Sequence, residues 1–457
     1  MGLFNIKKLI LLTGDIAALY AALFLSLWAR NLELPNAFIW GKHWPAFTLI
    51  FCIWVVIFFI NGFYDLQKAR NSVVFFSSFL GTIALNFFLA IAYFYITDFR
   101  DITPKTILLL LTLIYIPLFG AWRVAIQKIL SGHTLQNRVL FIGLVAENIQ
   151  LIEVLAKNPQ IGFSVAGVIA DYPQNAPLPL PDGISVWSSR EPFETLVKNH
   201  RVDTIVVAAG SLTEPVTKEL YKMIFMHAQV VDLVTFYEMI THRVPVLALN
   251  EAWFLENIQE KEKQIYDSVK IFFDYFIGAI MAAIGAVILI PVAAMIYFYD
   301  KGHVFIKQKR VGRDEKEFTL YKFRTMVVDA EKDGAQFTVP RDKRITPVGR
   351  ILRVMRIDEL PQALNILRGE MSFIGPRPER PEFVEEIAGY MPFYHVRHLI
   401  KPGLTGWAQI NRNYYATREE HLIKLQYDLY YIKHRSLLLD GAILLKTVRV
   451  VVKWLGR

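Results

Sequence analysis

The sequence predicts a membrane protein of mixed α/β class. It would comprise a four-helix transmembrane bundle (residues 1–130), a Rossmann-like middle domain (137–245) and an α-rich membrane-surface domain (262–457) with a re-entrant helix at 271–299. Three observations carry this prediction. Hydrophobic residues make up 54% of the 457, too many for an ordinary soluble chain. Apolar runs of membrane-spanning length fill the first quarter. From Arg138 to Val234 short β-branched runs alternate with helical patterns, as in a parallel sheet with helices on its faces. The formal charge of +9 suits anionic membrane lipids or a phosphorylated substrate. Nucleic acid is not an expected partner, because the basic residues are scattered and no DNA- or RNA-binding motif occurs. A single cysteine, Cys52, excludes a disulfide framework.

The four spans read as Leu9 to Ala29, Pro45 to Phe63, Val73 to Ile96 and Thr106 to Trp122. The first exceeds a signal-peptide apolar core and no small-residue cleavage site follows it. Asp15 within it is expected to face the bundle rather than lipid. Lys7, Lys8, Lys68, Arg70, Arg123, Lys128 and Arg138 on one side, against Arg30, Lys42, Arg100 and Lys105 on the other, place both ends in the cytoplasm. In the middle domain the strands read VLFIG, FSVAGVIA, ISVW, DTIVVAAG and AQVVDLV. After the first, a dinucleotide site needs G-x-G-x-x-G, and only Gly143 fills a glycine position, so NAD binding is not expected. Tyr297 and Lys301 have dehydrogenase spacing but lie far outside that domain, at the end of an apolar helix.

The fifth apolar run, Ile271 to Tyr299, contains Asp274 and Pro291. Lys261, Lys263 and Lys270 precede it and Lys301, Lys307, Lys309, Arg310 and Arg313 follow, so both flanks favour the cytoplasm. A hairpin that enters, bends near Pro291 and leaves on the same face satisfies both flanks. At the C-terminal end, Leu437 to Leu455 is a helical pattern with Lys446, Arg449, Lys453 and Arg457 on one face, suited to a membrane interface or to packing on the core.

Candidate chemistry centres on Arg356 to Pro378, RIDELPQALNILRGEMSFIGPRP. Asp358 is a good N-cap, Pro361 sits in the first turn, Leu360, Leu364 and Leu367 share a face and Gly369 can close the helix. Asp358 and Glu359 thus stand at a helix N-terminus, which keeps carboxylates ionised and attracts phosphate. Around them in sequence are Arg310, Lys322, Arg324, Arg377 between two prolines, Arg397 and Lys401. Arginines beside rigid Gly and Pro turns suit an anion-binding framework. His395 and His398, at i and i+3, are a weak metal signal without a carboxylate at fixed spacing. A carboxylate pair with several cations suits phosphoryl transfer, one acid attacking phosphorus and the other holding Mg²⁺; spacing does not say which acid does which.

RIDELPQALNILRGEMSFIGPRPERPEF, with QKRVGRDEKEFTLYKFRTM, RITPVGRILR, KPGLTGWAQIN and KLQYDLYYIKHRS, resembles the bacterial sugar transferases, the large monotopic polyprenyl-phosphate phosphoglycosyl transferases. The resemblance covers about Lys270 to the C-terminus, and the four spans and Rossmann-like domain match the family's long members. It implies transfer of a sugar-1-phosphate from a UDP-sugar to undecaprenyl phosphate, with release of UMP, at the cytoplasmic face of the bacterial inner membrane. It implies Asp358 as the nucleophile that forms a phosphosugar-enzyme intermediate and Glu359 as a Mg²⁺ ligand. Lys322, Arg324 and Arg377, with Arg310 alongside, would contact phosphate, and Pro291 would mark the bend of the re-entrant helix. The middle domain is a reasonable place for self-association, as a homodimer, or for regulation. Two other readings stand beside this one: an NAD-dependent sugar-nucleotide dehydratase or epimerase, and a non-enzymatic membrane regulator. No motif names the sugar.

Overall fold

The computed structural model describes residues 2–65, 73–97, 104–131, 136–170, 180–181, 183–188, 191–208, 210–226, 228–258, 263–330, 332, 334, 342–411 and 417–452. Lys68, Arg70, Arg100, Lys261, Lys453 and Arg457, used above for orientation and amphipathicity, lie outside them. The chain divides into two units, Met1–Met239 and Ile240–Arg457.

The first unit begins with four long helices: α1 (Gly2–Asn31), α2 (Ala37–Ile60), α3 (Val73–Thr97) and α4 (Pro104–Ser131). All four are long and apolar enough to cross a membrane. α2 starts eight residues before the predicted Pro45, because the Asn36 side chain accepts from Ile39 N at 2.9 Å and caps it, and the helix continues through Pro45. Its interior is aromatic: Phe79 stacks on Phe119 at 3.9 Å, and Trp54, Phe58 and Tyr115 surround them. Asp15 is fully buried, as expected of a charge in a span, and pairs with Arg123 of α4 through Nε at 3.1 Å and Nη2 at 2.5 Å. Arg123 Nη1 also donates to Phe63 O at 2.9 Å, so the guanidinium ties α1, α4 and the end of α2 together.

A five-stranded parallel sheet follows. Its elements are β1 (Asn137–Ile142), α5 (Ala146–Lys157), β2 (Phe163–Ile169), β3 (Val186–Trp187), α6 (Phe193–His200), β4 (Thr204–Val207), α7 (Glu214–Met223), β5 (Gln229–Asp232) and α8 (Leu233–Thr241). The order β3-β2-β1-β4-β5 is that of a doubly wound sheet, with every predicted strand in place. Leu140, Ile142, Ile205 and Val207 bury one face under Phe193, Leu196, Leu220 and Met223 of the helices. Beyond β1, Gly143 turns with φ +89° and Asn148 Nδ2 donates back to its carbonyl at 2.6 Å. The first turn of α5 carries buried Glu147, a carboxylate where the diphosphate of a nucleotide cofactor would rest.

The second unit starts earlier than the predicted residue 262. The segment Ile240–Ile258, including α9 (Glu251–Asn257), packs within it through Val244, Val246, Trp253 and Phe254, and Val244 N donates to Gln426 O at 3.1 Å. Then come α10 (Gln264–Asp300), β6 (Phe305–Val311), β7 (Glu317–Phe323), α11 (Pro347–Val354), a 3₁₀ turn (Ile357–Gln362), α12 (Ala363–Leu367) and β8 (Ser372–Ile374). After these follow α13 (Pro381–Ala388), a 3₁₀ turn (Tyr394–Leu399), β9 (Gly403–Thr405), α14 (Trp407–Asn411), α15 (Arg418–His434) and α16 (Leu437–Val452). In α16, Ile443 is buried against Ile374, Trp407 and Tyr431, and Lys446 lies over the Trp407 ring, so this helix packs on the core.

The helix α10 is one uninterrupted helix of 37 residues, helical on both sides of Pro291. The helix thus runs on through Pro291, where the sequence predicted a bend. One side of α10 is applied to its own unit along most of its length. Asp274 Oδ1 accepts from Ser372 Oγ at 2.9 Å and Phe373 N at 2.8 Å. Ile277 and Met281 pack on Leu320 and Ile366, and Val292 and Ile296 on Phe323 and Leu352. The other side is an exposed apolar strip that includes Phe272, Phe276, Val287, Ile290 and Phe298.

Asp15→Ala leaves Arg123 buried without its carboxylate and should cost about 3–5 kcal/mol. Replacing both residues by leucine should recover most of this loss. Thermal unfolding of the three proteins in detergent checks both outcomes.

Candidate active site

Asp358 and Glu359 sit side by side in the 3₁₀ turn that follows α11, and both are buried. The turn is entered through Arg356, held in the left-handed conformation at φ +56°. Asp358 is therefore inside the first turn and not its N-cap, and Leu364 is exposed while Ala363 and Ile366 take the core positions. Gly369 closes α12 with φ +76°, as its sequence position indicated.

The two acids meet opposite surroundings. Glu359 Oε1 accepts from Arg377 Nη2 at 3.0 Å and from Arg356 Nη1 at 3.3 Å. Burial pushes its carboxyl up, but Arg377, Arg356 and Lys322 outweigh it and hold the group at about 2. Asp358 Oδ1 is buried with no hydrogen-bond partner among the described residues. Burial, and then the neighbouring Glu359 charge, push Asp358 up to about 6 against the pull of Lys322, Arg353 and Arg356. One carboxylate is thus locked in its charged form and the other left open and more basic. Lys322, on β7, is pulled down to about 7 by burial and then by Arg377, against the opposing pull of both acids.

The backbone holds these groups with little freedom. Asn365, fully buried, donates to Thr319 O at 2.7 Å and accepts from Tyr321 N at 3.3 Å, fixing β7 beside the acid-bearing turn. Arg377 projects from Gly375-Pro376-Arg377-Pro378, which crosses the Lys401–Gly406 turn backbone on backbone. Gly375 N donates to Thr405 O and Gly403 N to Pro376 O, both at 2.8 Å, and a Cβ on Gly403 would stand 2.0 Å from Gly375 N. Behind this crossing lies a second ionic layer. Arg397 Nη2 donates to Arg377 O at 2.8 Å and to Asp428 Oδ2 at 3.0 Å, and Lys424 pairs with Glu379. Arg310 Nη1 donates to Pro378 O at 3.1 Å, 3.8 Å from Glu379.

Of the residues singled out in the sequence, Asp358, Glu359, Lys322 and Arg377 come together. Arg310 supports the Arg377 loop from behind. Arg324 is placed elsewhere: it pairs with Asp300 and donates to His303 O at 2.6 Å, tying down the end of α10. Pro291 is interior to α10. Arg353 and Arg356, beside the acids, were not assigned any role from the sequence, although they stand five and two residues before Asp358. Two adjacent carboxylates, one with an unpartnered oxygen, form an all-oxygen donor set that fits a hard divalent cation such as Mg²⁺.

Long apolar helices in one unit and a buried carboxylate pair ringed by cations in the other define a membrane protein with a compact polar centre. Residues 265–454 match the bacterial sugar transferase family and residues 59–218 match a family described as a CoA-binding domain. UDP-glucose:undecaprenyl-phosphate glucose-1-phosphate transferase of Klebsiella pneumoniae is 31% identical over 328 residues, 68% of this chain and 67% of that protein. The enzyme of the same name from Escherichia coli is 30% identical over 338 residues, 70% of this chain and 68% of that protein. UDP-N-acetylgalactosamine-undecaprenyl-phosphate N-acetylgalactosaminephosphotransferase of Aeromonas hydrophila is 41% identical over 192 residues, 42% of this chain and 45% of that protein. The chain belongs to the bacterial sugar transferase family.

Arg397→Ala should lower stability by about 3–5 kcal/mol, because it leaves the buried Asp428 carboxylate unpaired and frees the Arg377 loop. Denaturant unfolding against the parent checks it.

Proposed function

We propose that this protein transfers a sugar-1-phosphate from a UDP-sugar to undecaprenyl phosphate and releases UMP, opening the assembly of an exopolysaccharide, capsule or O-antigen at the cytoplasmic face of the inner membrane. The observation that carries this reading is the asymmetry of the acid pair: Asp358 keeps an unpartnered oxygen while Glu359 is held by two arginines.

In this reading Asp358 Oδ1 attacks the phosphorus that bears the sugar. The bond from that phosphorus to the oxygen bridging to UMP breaks, and its electron pair leaves with UMP. A phosphate oxygen of undecaprenyl phosphate then attacks the same phosphorus, and Asp358 departs as a carboxylate. Lys322, Arg377, Arg353 and Arg356 offset the negative charge that two acids and a diphosphate bring together. Glu359, with Asp358 beside it, would hold Mg²⁺, which when bound would further neutralise the departing phosphate. In this reading α10 turns its exposed apolar strip to the membrane and its other side to its own unit. The sugar is not specified: the Klebsiella and Aeromonas relatives are named for glucose and N-acetylgalactosamine.

Asp358→Asn should lower UMP release by about 1000-fold or more. It should also abolish protein-bound label when the enzyme meets sugar-labelled UDP-sugar without lipid acceptor; near-parental UMP release would remove Asp358 as nucleophile. Glu359→Gln should instead raise the Mg²⁺ concentration needed for half-maximal activity, and an unchanged Mg²⁺ titration would contradict that role.

A further inference from the structure

A second group of ligand-type side chains gathers at the tip of the β6–β7 hairpin. Glu315 stands in the turn between those strands, and His395 and His398 stand on the 3₁₀ turn Tyr394–Leu399. Residues three apart eclipse in a 3₁₀ turn, so both imidazoles issue from one side. Their ligand atoms and a Glu315 oxygen all lie within 4.8 Å of one another. His395 Nδ1 is 2.5 Å and His398 Nδ1 3.7 Å from Glu315 Oε1. This supplies the carboxylate that the two histidines lacked in sequence.

The independent observation is His398 itself. Its side chain is 7% exposed, and neither ring nitrogen has a hydrogen-bond partner among the described residues. Buried imidazole nitrogens are ordinarily satisfied, so two orphaned ones beside a carboxylate and a second imidazole point to a missing electrophile. The neighbouring Arg397 charge is met by Asp428 at 3.0 Å.

We propose that Glu315, His395 and His398 form a binding site for a divalent transition-metal ion of the zinc class, separate from the Asp358–Glu359 pair. Two imidazoles and one carboxylate are a borderline donor set that prefers zinc or its neighbours to Mg²⁺ or Ca²⁺, with water completing the shell. The ion would clip the hairpin carrying Arg310 and Lys322 to the turn carrying Arg397, whose guanidinium holds the Arg377 carbonyl. Its role is positional: it fixes two sources of cationic side chains relative to each other.

The test is made on the full-length protein in detergent, stripped with chelator and titrated with Co²⁺ in excess Mg²⁺. One equivalent should bind to the parent and to Glu359→Gln, with visible absorption bands of imidazole-ligated cobalt, and the same proteins should retain one Zn²⁺ after gel filtration. His395→Gln and Glu315→Gln alter exposed side chains and should each weaken Co²⁺ binding at least tenfold. Equal affinity in parent and both variants, or no saturable binding in the parent, overturns the site. Because metal content is the readout, the outcome is independent of the transfer reaction.

Discussion

Two neighbouring carboxylates buried together repel each other and lose their hydration, and the rest of the C-terminal unit is arranged around that constraint. Glu359 is kept ionised by Arg377 and Arg356, so the cost of ionising both acids falls on Asp358. That imbalance lets two chemically similar side chains behave differently within one turn. Arg377 can serve Glu359 because two prolines stiffen its loop and two glycines let that loop cross another backbone at contact distance.

Charge then alternates outward in layers. The inner acids face Lys322, Arg353, Arg356 and Arg377, and behind these stand Glu379 and Asp428, balanced in turn by Lys424, Arg397 and Arg310. Buried pairs of this kind add little net stability compared with apolar packing, but removing one partner is costly. Their value here is geometric, since each pair fixes the backbone of a loop that carries a residue of the layer inside it.

Much of this was legible in the sequence where local rules govern. The five strands stood out by their β-branched runs, and Asp15 was expected inside its bundle because lipid would not accept it. Of the residues that the resemblance implied, Asp358, Glu359, Lys322 and Arg377 do converge, while Arg310 stands behind the Arg377 loop and Arg324 pairs elsewhere. What was not legible depends on through-space partners. Arg324 lies one residue beyond β7 and looks like another phosphate ligand, yet Asp300 and the His303 carbonyl claim it. Arg353 and Arg356 carried no role in the sequence reading; the left-handed turn at Arg356 brings them beside the acids. Residues 240–245 read as the tail of the middle domain and 246–258 as part of neither domain, because nothing in their composition names the helix α15 they cover.

By its length and apolar content alone, α10 reads as an anchor, a part separable from the machinery it tethers. In this fold it also forms a wall of that machinery, since Ile277 and Met281 complete one apolar cluster, Val292 and Ile296 another, and Asp274 satisfies the β8 backbone. Cutting the chain after α10 would open both clusters and strip β8 of its acceptor. Deletion is therefore a poor route to a soluble form of this domain; polar residues would have to be painted onto the exposed apolar strip of Phe272, Phe276, Val287, Ile290 and Phe298, with the inward face left untouched.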